Sequence, residues 1–143
     1  MKTRHLCIVL ALATSGCAIL QNVTPVARFE GKDICIVQND SVRKGFLETY
    51  TRVLGEKGYA VKELPASAGL TTCRVTSTYR ARWQWDLSLY LAYAEIRVYE
   101  KGEQIGQAVY DTSGGGFNTK KFNNAEDTVA ELVNRMFPAG PGS

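Results

Sequence analysis

The groups best suited to chemistry in this chain are a tryptophan pair, an arginine series and two carboxylates, all within Cys73–Asp111. Trp83 and Trp85 are two residues apart, so on a strand they share a face and could stack on sugar rings. Tyr79 and Ala81 fall on that face too, and a buried core is the use expected of it. Asp86 and Glu95 are the carboxylates to weigh as a glycosidase pair, which must flank one bond. A hairpin here sets them at different heights, so Asp86 is expected to organise a turn instead. Arg74, Arg80 and Arg82 fall on the opposite strand face. They could meet anionic lipid, lipopolysaccharide or an acidic partner, or be a solvated face with Glu95 as counter-ion.

Other chemistry is excluded by composition. The only histidine is His5, in a segment expected to be removed. The rest of the chain therefore has no Ser-His-Asp or Cys-His pair and no His-containing zinc site. Gly114-Gly115-Gly116 is not followed by Lys-Ser/Thr, so it is not a phosphate loop. Without Lys2 and Arg4 the chain carries 15 basic and 14 acidic residues, a balance unlike that of a nucleic-acid binder. Neither an enzyme nor a cofactor or metal is expected.

The removed segment is read from its order of parts. Met1–His5 is basic, Leu6–Ala13 is an apolar run of eight, and small residues then lead to Cys17. This order describes an export signal, and the run is too short for a bilayer span of roughly 20 residues. Ala13-Thr14-Ser15-Gly16-Cys17 resembles a bacterial lipobox, which makes residues 1–16 a signal peptide and Cys17 the lipidated first residue. Thr14 stands where leucine is usual, and an ordinary signal-peptidase cut is the alternative. Ala18 implies delivery to the outer membrane, on its periplasmic side. Ala18–Gly31 lacks periodicity and is expected to be a tether, with a reach of roughly 45 Å.

The remaining elements position the chemistry, in one domain over residues 32–138. Ile34–Val37 reads as a strand buried on both faces. Asn39, Asp40 and Ser41 are good N-caps for a helix marked by Val42, Phe46, Tyr50, Val53 and Leu54 and closed by Lys57-Gly58. Tyr59–Leu64 is a second strand, and the order favours a right-handed parallel crossover. Cys73–Asp111 reads as three antiparallel strands. A turn at Leu87-Ser88 sets Trp85 against Tyr90, Trp83 against Ala92, Tyr79 against Ile96 and Arg80 against Glu95, a longer loop from Asp86 to Leu89 being the alternative because the turn lacks Gly or Asn. Lys101-Gly102 suits the next hairpin turn. Ser113–Asn118 is expected to be a loop. Asn124 caps a last helix with Val129, Leu132, Val133, Met136 and Phe137 in phase, stopped by Pro138. Residues 139–143 are expected to be a disordered tail. The fold class expected is α+β: a two-layer sandwich, its mixed sheet of about five strands built as βαβ then antiparallel meander, with two helices on one face.

With Cys7 removed and Cys17 lipidated, Cys35 and Cys73 remain as a pair in an oxidising compartment. A disulfide between them is expected, two buried thiols being the alternative that geometry decides.

Cys35-Ile36-Val37, Arg43-x-Gly45-Phe46, Thr78-Tyr79-x-Ala81-x-Trp83-x-Trp85-Asp86-Leu87-x-x-Tyr90-Leu91, Ala108-x-Tyr110-Asp111, Lys121-Phe122 and Ala125-Glu126 together give the chain a recognisable pattern. In these motifs it resembles a family of small proteobacterial envelope lipoproteins. The resemblance implies an envelope lipoprotein and carries over no catalytic residue. The function expected is a non-enzymatic accessory or assembly factor that binds an envelope protein; binding of a glycan, peptidoglycan or lipid head group is the alternative. The interaction surface expected is Arg74, Arg80, Arg82, Leu91, Tyr93, Glu95 and Tyr99, a mixture of types enriched at interfaces.

Overall fold

The computed structural model describes residues 19–115 and 118–142. The export segment, Cys7 and Cys17 lie outside the described residues, as do Gly116, Phe117 and Ser143.

The protein is α+β, with a six-stranded mixed sheet and two helices. The strands are β1 (Leu20–Thr24), β2 (Asp33–Val37), β3 (Ala60–Leu64), β4 (Val75–Asp86), β5 (Ser88–Glu100) and β6 (Glu103–Asp111). Helix α1 spans Lys44–Glu56 and α2 spans Ala125–Met136. The sheet order is β1-β6-β5-β4-β2-β3. Strand β2 lies parallel to both β3 and β4, and the other neighbours are antiparallel. The apolar run Ile34–Val37 is thus internal, paired on both sides between β4 and the edge strand β3, as its continuous hydrophobicity requires.

Strand alternation divides the side chains of the sheet. Ile34, Ile36, Val75, Tyr79, Ala94, Ile96, Val98, Ala108 and Tyr110 join one core cluster. Phe46, Tyr50, Val53 and Leu54 of α1 and Val129, Leu132, Val133 and Met136 of α2 complete it. Cys35, Val37 and Leu64 form a small separate cluster. Cys35 is bonded to Cys73, with their Cα atoms 6.2 Å apart, inside the span a disulfide tolerates.

Several local signals act as expected. Asn124 caps α2 by accepting from the Glu126 amide at 3.0 Å. Gly58, at φ +94°, ends α1, and Lys101-Gly102 (φ +51° and +87°) forms the β5–β6 turn. The start of α1 differs. Arg43 is its N-cap and offers no side-chain cap bond. Asn39 instead binds the Ser41 amide at 3.1 Å and donates to the Tyr79 carbonyl at 3.0 Å, tying the β2–α1 turn to β4.

The N-terminal segment is not wholly a tether. Leu20–Thr24 adds a sixth strand by pairing with β6. Farther on, the Val26 amide bonds the Met136 carbonyl and the Ala27 amide bonds the Ile105 carbonyl, both at 2.8 Å. Gly106 permits this passage, since a Cβ there would stand 2.8 Å from the Val26 Cα. At the other end, residues 139–142 are not a loose tail. The Tyr59 hydroxyl donates to the Ala139 carbonyl at 3.2 Å, and Pro141 lies beside Gly58.

Candidate interaction site

The hairpin of β4 and β5 decides where each candidate side chain points. Over its lower part the pairing is as expected: Tyr79 faces Ile96 and Arg80 faces Glu95. Between Arg82 and Trp83 the register shifts, and Ala92 becomes an extra residue on β5. The bulge carbonyl of Ala92 is satisfied by the Thr112 amide and hydroxyl, at 3.0 and 3.1 Å. Above the bulge Trp83 faces Leu91 and Trp85 faces Leu89, one residue from the expected partners. A bulge re-aims every side chain beyond it. Leu91 therefore turns into the core at 1% exposure and leaves the proposed interaction surface. Trp83 is half-buried beside the core, with the Arg43 guanidinium 5.7 Å over its ring. Trp85 is not core at all: it is 75% exposed, because the hairpin tip extends past the elements that would cover it.

On the strand face opposite the main core, Glu95 is the centre of a charged cluster. Its side chain is only 5% exposed. Arg80 binds one carboxylate oxygen through Nε at 2.9 Å and also through Nη2. Arg97 binds the other through Nε at 2.9 Å and Nη2 at 2.6 Å, and Gln107 Nε2 adds a bond at 2.9 Å. Burial opposes the charge on Glu95, but hydrogen bonds from Arg80 and Arg97 outweigh it and hold its carboxyl below the usual range. Such a group stays ionised and is a poor proton donor near neutrality.

A polar hollow of about 540 Å³ opens beside this cluster, lined by Asn39, Ser41, Thr78, Arg80, Arg97 and Tyr99 among others. Arg82 lies farther along β4, its guanidinium 5.8 Å over the Tyr93 ring. Arg74 is engaged elsewhere, with Glu100 at 3.0 Å and Glu30 at 3.1 Å. The structure thus brings Arg80, Arg82, Tyr93, Glu95 and Tyr99 onto one face, leaves Arg74 in a separate ion-pair cluster and buries Leu91. Arg97 and Gln107 went unnoticed in the sequence. Arg97 was within reach of the same reasoning, since it alternates with Glu95 and Tyr99.

Asp86 and Glu95 do not meet. Asp86 pairs with Ser88 at the tip, while Glu95 pairs with Arg80, six residues back along β4 and about 20 Å away at strand rise. Asp86 instead holds Lys121 at 2.6 Å. Among the described residues no cluster of His, Cys, Asp or Glu is arranged to hold a metal ion.

In fold, the chain is similar to PelC. A PelC dodecamer from Paraburkholderia phytofirmans superposes with a TM-score of 0.57 at 10% identity, over 83% of this chain and 98% of that one. A second PelC crystal form gives 0.57 and 10% over 82% and 98%. No family model and no curated protein matches the sequence. At this identity the likeness speaks for the arrangement of strands and helices alone.

Proposed function

We propose that this chain is a non-enzymatic lipoprotein, anchored through Cys17 to the periplasmic side of the outer membrane, that docks another envelope protein as an accessory or assembly factor. Its domain is two-layered, with both helices on the face of Ile34 and Ile36 and the Glu95 face left bare. The observation that carries the reading is the Glu95 cluster. Two arginines surround one carboxylate, so the face keeps guanidinium donors to spare, and Arg80 is 64% exposed. Each guanidinium has five donors, of which Glu95 engages two on Arg80. With Tyr93, Tyr99 and the adjoining hollow, this face suits a partner presenting acidic side chains. The separation of Asp86 from Glu95 supports the absence of a glycosidase step.

Photo-crosslinking in living cells tests this. A crosslinking residue at Arg82 or Tyr99 is expected to give one discrete adduct with an envelope protein, and the same residue at Glu131 of α2 none. Arg82→Glu, which spares the Glu95 ion pairs, is expected to weaken capture at Tyr99. Equal adducts from both faces, or none from position 82 or 99, would overturn the assignment.

A further inference from the structure

The hairpin tip carries a second feature that the docking face does not use. Among the described residues the exposed large apolar side chains are Leu20, Trp85, Leu87, Leu89 and Phe122, and the last four lie together at the hairpin tip. Trp85 and Leu89 are cross-strand partners, and Leu87 tops the turn at 90% exposure. Phe122, from the short 3-10 helix Thr119–Phe122, packs edge-on to Tyr90 with ring centres 5.5 Å apart. Lys121 binds Asp86, so that short helix is fastened to the tip. Leu87 also adopts φ +61°, where glycine or asparagine is usual. Folding gains nothing from this side chain, and its backbone is strained to present it.

The register places this end relative to the anchor. Leu20 pairs with Asp111, Asp111 with Tyr93, and Tyr93 with Arg82. Strand β1 runs opposite to β4, so the chain runs from Cys17 into the sheet at the end where the hairpin projects. Leu87 stands five residues beyond Arg82, about 16 Å at strand rise. Cys17 is three residues before Leu20, a reach of at most about 10 Å. Even with that stretch fully extended, the tip stands at least about 6 Å beyond the level the lipidated residue can reach, which is enough to enter the 5–10 Å interfacial zone of a bilayer. Trp, Leu and Phe on one side with a lysine, Lys120, beside them are the side-chain types by which a peripheral protein enters the interface.

We infer that Trp85, Leu87, Leu89 and Phe122 insert into the membrane leaflet that holds the acyl chains of Cys17. The occupant of this apolar tip is lipid. The inference rests on lipidation of Cys17 and deepens it: anchor and tip together fix the domain's height and orientation, so the Glu95 face points along the membrane plane. An ordinary tether would leave orientation free.

The test uses the full chain, purified from a Gram-negative host and reconstituted into phosphatidylethanolamine–phosphatidylglycerol vesicles. Its intact mass reports acylation of Cys17 independently. Trp83→Phe leaves Trp85 as the only tryptophan. Trp85 emission is expected to shift to the blue, to be quenched by lipids brominated near the head group and to resist acrylamide. Leu87→Glu is expected to reverse all three. Should Trp83→Phe not fold, the difference between the wild type and Trp85→Phe, at an exposed position, gives the same readout. A chain of acylated mass whose Trp85 stays water-like and open to acrylamide would overturn the proposal, as would protection of Trp85 by peptidoglycan fragments and not by lipid. If the mass shows Cys17 unmodified, the anchor fails separately, and co-flotation of that chain with vesicles decides the tip. Leu87→Glu should then lower vesicle affinity about tenfold; equal affinity would refute insertion.

Discussion

Arg97 donates two hydrogen bonds to one oxygen of Glu95, at 2.9 and 2.6 Å, from the same strand two residues away. Neighbours at this spacing share a strand face, so both groups of the pair come from β5 itself. Arg80 on β4 then takes the second oxygen.

Acid should weaken the fold through this group. The Glu95 carboxyl is held below its ordinary value of 4.5. The unfolded chain therefore binds the proton more readily, and stability rises with pH across the gap. The Glu95 contribution is complete above about pH 5 and is lost as pH falls through the lower folded value. Urea midpoints measured from pH 7 to pH 3 should drop for the wild type and flatten in Glu95→Gln. Parallel curves would assign the acid sensitivity to other carboxylates. At neutral pH Glu95→Gln should itself cost about 1–3 kcal/mol, since both arginines lose a charged acceptor.

Reduction should cost more than any single surface change. The Cys35–Cys73 bridge spans a sequence separation of 38, for which chain-entropy arguments give about 3–4 kcal/mol. The double variant Cys35→Ala/Cys73→Ala should lose that amount in equilibrium denaturation and should not respond to reductant, whereas the wild type should respond. A wild type indifferent to reductant would mean the thiols are unpaired in solution.

The two tryptophans should behave oppositely. Trp83 abuts the core and Trp85 does not. Trp83→Ala is expected to destabilise by about 2–3 kcal/mol, below the usual range for a fully buried aromatic. Trp85→Ala should stay within about 0.5 kcal/mol, as for other exposed sites. Equal losses in thermal melts would argue that the tip is covered in solution.

Gly106 should tolerate no side chain. A Cβ there meets the Val26 backbone at 2.8 Å, so Gly106→Ala should cost about 1–3 kcal/mol by overpacking. The Val26 and Ala27 amides, which bond Met136 and Ile105, should then exchange faster with solvent. Unchanged exchange would show that the segment can shift aside freely.

Much of the fold was legible in sequence because its signals are local. Asn124 caps within its own helix turn, Gly102 takes positive φ without steric cost, and the spacing of Phe46, Tyr50, Val53 and Leu54 defines one helix face. The parallel crossover follows from the order strand, helix, strand. The opposition of Arg80 and Glu95 was legible because a slipped register would bury charge.

What tertiary structure alone decided depends on groups far apart in the chain. Leu20–Thr24 (Leu-Gln-Asn-Val-Thr) has little strand signal of its own and becomes a strand because β6 offers an open edge. The sulfur atoms of Cys35 and Cys73 meet because β2 and β4 lie side by side. One extra residue, Ala92, sends Leu91 inward, and the length of the hairpin carries Trp85 past the core into the open. Periodicity assigns a side chain to a face only while the register is regular, and it says nothing of where the covering layer ends. Burial at this hairpin was therefore set by the bulge and by the reach of the strands, neither of which composition or spacing records.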